Sequence, residues 1–285
     1  AAALPQRPMF RSEGSLMLAH REDLGAAQRV LERLRTACET QAWQNLSPPE
    51  GVQPLELARL RELEPALQGP AHAWLLPGEG QLDAVAMMMA LHDDSPGAQW
   101  HWSRPVRCVE ENGTLHFADG GQAAFDAVID TRGVGAQASR QGACASASPV
   151  FDVRGVRGEV IWLQAPAHGL TRLTRLLHPR HGVYIVPRSP DLLLIGASEL
   201  ETEDRSPASL RSTVELLAAA HSAMPALAEA RILRLDVNLR PALPDNNPCT
   251  EWRGRCLRIN GLFRHGWLLA PALTEQAMQL TGWLK

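Results

Sequence analysis

The chain has 285 residues, of which 45% are hydrophobic and 21% charged, and its formal net charge is −3. That length allows one large domain or two ordinary ones, and the apolar fraction excludes a disordered chain, which could not offset the entropy of ordering. No basic excess announces a nucleic-acid partner. With a mean hydropathy of −0.17 and no apolar run of about 18 residues, no membrane-spanning helix is expected. The first eight residues carry no signal-peptide hydrophobic region, no initiator Met and no opening strand. Cys38, Cys108, Cys144, Cys249 and Cys256 form neither a Cys-x-x-Cys pair nor an evident disulfide framework, which reads as a reducing, cytoplasmic setting.

Pro and Gly, 21 and 22 in number, punctuate the chain throughout. Residues 9–19, MFRSEGSLMLA, read as strand, turn and strand around Glu13 and Gly14. Residues 22–43 read as a helix, because Leu24, Ala27, Val30, Leu31 and Leu34 recur at spacings of three and four. Residues 54–63 suggest a second, short helix that stops before Pro65, residues 73–76 a strand, and residues 82–92 a third helix with Asp83 near its positive end. The periodicity then changes. Residues 99–109, 114–118 and 124–130 are short segments separated by Asn112-Gly113 and by residues 119–121, and Asn-Gly is a strong hairpin signal. They predict a β-meander ending in a buried strand, 125–129. Residues 136–149 read as a crossing loop or linker. Strands are expected at 156–163, 174–178, 183–187 and 192–197, a helix from Ser206 to about His221, strands at 231–239 and 256–259, and a closing helix at 270–284. The pattern is mixed α/β with antiparallel segments inserted between α/β pieces.

Four constellations could carry chemistry, and each has a plainer alternative. Residues 124–138 run from a strand into Gly133-x-Gly135-x-x-Ala138, formally the pattern whose glycines let a backbone approach a phosphate. The residues that follow, SRQGACA, form helix poorly. A plain strand-to-loop turn therefore competes with a dinucleotide turn and with a later strand end that backs onto a flavin. In HGVYIVPR (181–188), Tyr184 is the only tyrosine of the chain. It is either a strand packing residue or a phenol that donates to a carboxylate, with Arg188 nearby. In NLRPALPDN (238–246), Arg240 is either a surface cation or a fork whose two parallel N–H groups match two carboxylate oxygens. In GLFRHGWLLAP (261–271), Gly266 permits close approach, and the helix start offers unpaired N–H groups to an anionic atom. Arg264 and His265 lie at that turn, where an empty helix start is the plainer reading. No HExxH, Walker A or GxSxG pattern is present, and His92, His101 and His116 lack metal-ligand spacing. Met87, Met88 and Met89 read as helix packing.

The motifs RGVRGEV (154–160), HGVYIVPR (181–188), LLLIGASEL (192–200), NLRPALPDN (238–246) and NGLFRHGWLLAPAL (260–273) follow one another in this order. Together they resemble the glycine oxidase branch of the D-amino-acid-oxidase-like FAD-dependent amine oxidases. MFRSEGSLMLAH (9–20), LPGEGQLD (76–83) and VIDTRGVGA (128–136) fit the same family. The resemblance implies an α/β fold of that type: a partial FAD-binding domain (76–149 and 246–285) and an antiparallel-sheet substrate domain (1–75 and 150–245). It implies oxidation of glycine or a similar small amino acid to the imine, with O2 reduced to H2O2, in the making of the thiazole ring of thiamine. A D-amino acid or proline-like dehydrogenase with another electron acceptor stays open, as does a cofactor-free remnant that acts as a binding module.

By motif, Arg240 is implied to clamp the substrate carboxylate, Tyr184 to be its phenolic co-ligand, and Arg264 to be a second substrate-side arginine. Leu262, Phe263, Arg264, His265, Gly266, Trp267 and Leu268 are implied to run along the flavin ring. Val106 is implied to meet the adenine end through its backbone, with Gly133 and Gly135 near the cofactor at their strand's end. No strong base is implied, because the flavin accepts the hydride, and no metal. The family opens with a βαβ unit carrying G-x-G-x-x-G, which is not in this sequence. The resemblance therefore implies a fragment, or a gene without that unit, and weak retention of FAD. Expected partners are a small amine or amino acid and O2, with neither nucleic acid nor a membrane span. A homo-oligomer is compatible with this reading.

Overall fold

The computed structural model describes residues 10–39, 51–141, 151–177 and 182–283. Strands β1 (Phe10–Arg11) and β2 (Ser15–Ala19) are joined through Gly14, whose φ of +82° suits a residue without a Cβ. A 3-10 turn at Arg21–Asp23 leads into α1 (Leu24–Glu39); the rest of the helix predicted to 43 lies outside the described residues. The helix expected at 54–63 begins instead as strand β3 (Gln53–Leu55) and turns helical only in α2 (Leu57–Leu63). β3 pairs with β4 (His72–Leu76) at the end of its sheet, where Pro54 is tolerated because an edge strand can spare an N–H. After β5 (Gln81–Leu82) comes α3 (Ala84–Asp93). Asp83 is its N-cap, with Oδ1 accepting from the Ala86 N–H at 2.9 Å.

The meander consists of β6 (Val106–Val109), β7 (Thr114–Phe117) and β8 (Gln122–Ala124), a three-stranded antiparallel sheet. The strand expected to close it does not belong to it. β9 (Val128–Asp130) pairs parallel with a strand from the C-terminal part of the chain, and Phe125 and Ile129 are each 47% exposed. The expectation of a buried 125–129 strand is thus corrected: Val128 and Asp130 point inward and Ile129 outward, as strand alternation requires. Gly133–Gln141 is a 3-10 helix, not the amphipathic α-helix that a dinucleotide turn needs.

β10 (Arg154–Gln164), β11 (Leu173–Leu177), β12 (Gly182–Ser189) and β13 (Leu192–Gly196) follow. α4 (Leu210–Ala223) starts later than Ser206 because Ser209 is its cap, its hydroxyl accepting from the Ser212 N–H at 3.1 Å. β14 (Arg231–Ala242) outruns the predicted strand. β15 (Cys249–Arg253), not expected from periodicity, turns at Gly254 (φ +58°) into β16 (Cys256–Asn260), the parallel partner of β9. α5 (Gly266–Thr281) begins before the predicted residue 270 and carries Pro271 inside it. Proline favours a first helical turn, which is why the sequence pattern placed the start too late.

The chain divides into two compact units, one of Ala1–Pro96, Glu159–Glu199 and Ser206–Val237, the other of Gly97–Gly158, Leu200–Arg205 and Asn238–Lys285. The largest sheet has the order β14-β10-β13-β12-β11-β2-β4-β3. In the first unit, alternate residues of β2 feed two cores. Leu16 and Leu18 join Ile161, Ile185 and Ile195 beneath Leu60 of α2 and Leu216 of α4, while Met17 and Ala19 pack with Trp74 against Ala27 of α1. Glu64 is fully buried, yet its carboxylate accepts from the Thr171 N–H at 2.9 Å, the Arg172 N–H at 3.0 Å and Arg172 Nη1 at 3.0 Å, so its charge is matched.

In the second unit α5 packs on the β15-β16-β9 sheet. Cys108 is disulfide-bonded, a correction to the expectation of unpaired thiols, since sequence spacing does not reveal a pair formed in space. Cys249 and Cys256 are free, and burial pushes the Cys256 thiol up to about 11. Among the described residues no helix is long and apolar enough to cross a membrane, and no three His, Cys, Asp or Glu side chains could hold a metal ion.

Candidate functional site

Tyr184 lies on β12 of the first unit, directly opposite Gly196 of β13. The half-buried phenol ring lies across that glycine: a Cβ at Gly196 would fall 2.6 Å from both Cζ and the hydroxyl oxygen. Val183, Ile185 and Val186 are buried on either side, so the strand that presents the phenol is fixed by the core. Arg188, further along β12, directs Nη1 to the Leu82 carbonyl at 3.0 Å and leaves Nε buried without a hydrogen bond.

Arg240 lies near the end of β14 in the second unit and uses the same device. Its guanidinium lies over Gly158, where a Cβ would collide with Cζ and both terminal nitrogens. Nη1 donates to the Arg157 carbonyl at 3.4 Å. The segment after Arg240 is tied down by Arg154, which donates to the Leu243 carbonyl, to Asn246 Oδ1 at 2.8 Å and to Glu201 Oε2 at 3.0 Å. The Pro241 carbonyl accepts from the Phe263 N–H at 2.9 Å, and the Pro241 ring abuts Gly133, where a Cβ would lie 3.3 Å away.

The turn before α5 is built from unusual backbone. Gly261 has φ +80° and Phe263 φ +47°, and Gly133 has φ +57°. Asn260 links them: Nδ2 donates to the Gly133 carbonyl at 3.0 Å, and Oδ1 accepts from the Gly261 N–H at 2.8 Å. α5 then starts with no side-chain cap at His265 and with open space where a Gly266 side chain would be. Arg264, His265, Trp267 and Leu268 are exposed, and Leu262 and Phe263 are half-buried.

Arg132 braces the end of β9. Its Nε and Nη2 grip Asp130 at 2.9 and 2.8 Å, and Nη1 donates to the carbonyls of Val106 at 3.1 Å and Arg107 at 3.2 Å. Burial acts to raise the Asp130 pKa, but the hydrogen bonds and charge of Arg132 outweigh it and hold the carboxyl below its usual range. Arg258, opposite Asp130 on β16, is buried with Nη1 lacking a hydrogen-bond partner.

The structure thus joins Gly133 to the 260–263 turn and to Pro241, the neighbour of Arg240. Gly135 is exposed, its N–H closing a turn on the Arg132 carbonyl at 2.9 Å. The seats Gly158 and Gly196, the link Asn260 and the brace Asp130–Arg132 were not singled out from the sequence. A glycine inside a strand pattern signals close approach by another group, and that signal could have found the two seats.

Residues 2–280 match the family of FAD dependent oxidoreductases (DAO), and the chain belongs to it. A protein of Rhizobium etli that carries the name thiamine biosynthesis oxidoreductase ThiO is 36% identical over 276 residues, 96% of this chain and 73% of the relative. The glycine oxidase of Geobacillus kaustophilus is 31% identical over 268 residues, 87% of this chain and 68% of the relative. The crystal structure of that oxidase superposes with a TM-score of 0.74 at 29% identity, covering 93% of this chain and 69% of the other. The iminodiacetate oxidase of Chelativorans, with a TM-score of 0.76 at 21% identity over 96% of this chain and 73% of the other, shares the fold. The family uses FAD. The uncapped start of α5, with open space at Gly266, fits an anionic part of that cofactor.

Proposed function

We propose that this FAD-dependent oxidoreductase oxidises glycine or a similarly small amino acid to its imine and passes the electrons to O2, yielding H2O2, as a step toward the thiazole of thiamine. The observation that carries this reading is the guanidinium of Arg240 seated against Gly158, with no room for a Cβ between them. A carboxylate is the natural ligand of such a fork, and a fork whose orientation is fixed in advance also fixes the direction of the substrate Cα–H. The names of the relatives that match over most of the chain support the choice of amino acid.

Arg240 binds the substrate carboxylate, and Tyr184 donates its phenolic O–H to the same group. Arg264 supplies a second positive charge on the substrate side. Leu262 to Leu268 hold the flavin ring, Gly133 and Gly135 lie close to the cofactor, and Val106 meets its adenine end through the backbone. FAD, when bound, accepts the hydride, so no strong base is required of the protein. The start of α5 would supply positive potential to the negative charge of the reduced ring.

The test is to purify the chain, add FAD, and follow both H2O2 and dye reduction with glycine, sarcosine, D-alanine and L-proline. Flavin absorbance that co-elutes with the chain, with H2O2 formed from glycine, is expected. Dye reduction without H2O2 would make the protein a dehydrogenase, and no retained flavin with no turnover would overturn the enzyme reading.

A further inference from the structure

Asn260, the last residue of β16, is buried, and both ends of its side-chain amide are in use. Nδ2 donates to the Gly133 carbonyl at 3.0 Å, and Oδ1 accepts from the Gly261 N–H at 2.8 Å. The amide carries donor and acceptor on separate atoms, which an ionised carboxylate or a hydroxyl does not. Through these bonds three segments distant in sequence close into a ring within the second unit. Gly133 faces the Pro241 ring, where a Cβ would lie 3.3 Å away, and the Pro241 carbonyl accepts from the Phe263 N–H at 2.9 Å. Gly261 lies against Leu243, where a Cβ would fall 2.6 Å from Cγ. Phe263, at φ +47°, is held in left-handed backbone that a side chain tolerates only where its surroundings enforce it.

We infer that Asn260 is a positioning residue for the oxidation: it sets the turn 261–268 against the arginine-bearing end of β14. The inference rests on Arg240 and that turn having the roles proposed above. Its basis is geometric. Arg240 takes its orientation from Gly158 on β10. The turn takes its orientation from the Asn260 side chain and the Phe263 N–H. The substrate Cα–H must meet the flavin in register, and an error of about 1 Å can cost about 100-fold in rate. Neither support alone fixes that register. The ring through Gly133, Pro241 and Phe263 does, and the bond from Asn260 Nδ2 closes it.

Asn260→Asp keeps the size and the acceptor but, ionised, sets an oxygen against the Gly133 carbonyl. In the FAD-free chain, hydrogen exchange at the Phe263 amide should become about tenfold faster or more, and FAD, titrated by quenching of its fluorescence, should bind about tenfold more weakly. At saturating FAD, kcat for glycine should fall about tenfold or more. The affinity for glycolate should stay within about twofold, because Arg240 keeps its seat on Gly158. Asn260→Ala removes both bonds without opposing two oxygens; it should give the same pattern to a smaller degree, and it serves if the aspartate variant does not fold.

Val109→Ala, in the core of the same unit, is the control for lost stability, measured by urea unfolding, and should show no split between kcat and glycolate affinity. Unchanged Phe263 exchange and FAD affinity in the Asn260 variants would overturn the inference. So would a loss of glycolate affinity as large as the loss of kcat, or the same split in Val109→Ala. A parent chain that binds FAD but neither oxidises glycine nor takes glycolate would contradict the amino acid substrate instead, and the FAD and Phe263 measurements would still decide the role of Asn260.

Discussion

The side chains proposed to hold substrate and the segment proposed to hold the flavin are positioned by different means. Tyr184 and Arg240 sit on long strands, and each is pressed onto a glycine, Gly196 or Gly158. Their placement is set by sheet geometry and by the absence of a Cβ. The 260–268 segment instead depends on three positive-φ residues, one asparagine side chain and an uncapped helix start. Strand-borne groups are set before any ligand arrives, which lowers the cost of binding. Turn-borne groups leave backbone N–H donors open, which suits a large cofactor.

The sharpest way to break this contrast is to remove the strand-borne cation. Arg240→Ala should weaken glycine or a carboxylate inhibitor by about 2–4 kcal/mol, or about 30- to 1000-fold, because a charge-assisted pair is lost. Flavin content should not change, as read by the absorbance ratio of the purified protein. An unchanged inhibitor affinity would leave Arg240 as a surface cation.

The second prediction concerns the support of the turn side. Asp130→Asn removes the charge that Arg132 grips and should cost about 3 kcal/mol of stability, measured by urea unfolding. The folded pKa of Asp130 lies below its usual value of 3.8. Its stabilisation is therefore complete above that pH and is lost as the pH falls through the lower folded value. The asparagine variant should lack this acid-dependent part of the stability curve, and identical curves would contradict the brace.

A smaller effect separates the two strand-borne seats. Tyr184→Phe removes one neutral donor and should weaken a carboxylate ligand by about 0.5–1.5 kcal/mol. Gly196→Ala, which pushes the ring aside, should match or exceed that loss while keeping the hydroxyl. No loss in either variant would reduce Tyr184 to packing. The smallest effect is chemical. Cys256, buried and held at about 11, should resist a thiol reagent at pH 8 while Cys249 reacts, as mapped by peptide mass.

Much of this architecture was legible from residue pattern. The alternating and continuous apolar runs marked β2, β4 and β10 to β13, and Asn112-Gly113 marked the turn between β6 and β7. β9 was read as the end of the meander because nothing local shows that Val128–Asp130 pairs in parallel with Cys256–Asn260 far along the chain. β15 was missed because CTEWR has neither clean alternation nor an apolar run. Site residues were legible only through the motif resemblance. Arg240 and Tyr184 have no periodicity of their own that separates a ligand from a surface or packing residue. Gly158 and Gly196 show their role only when the side chain lying on each is seen.

Gly158→Ala tests the central claim most directly, because it leaves Arg240 in the chain and disturbs only its seat. Calorimetric titration of glycolate into the FAD-supplemented parent and variant gives the comparison. A methyl group at 158 collides with the guanidinium, so the account predicts an affinity loss of about 10- to 100-fold with flavin content unchanged. Equal affinities in the two proteins would contradict it.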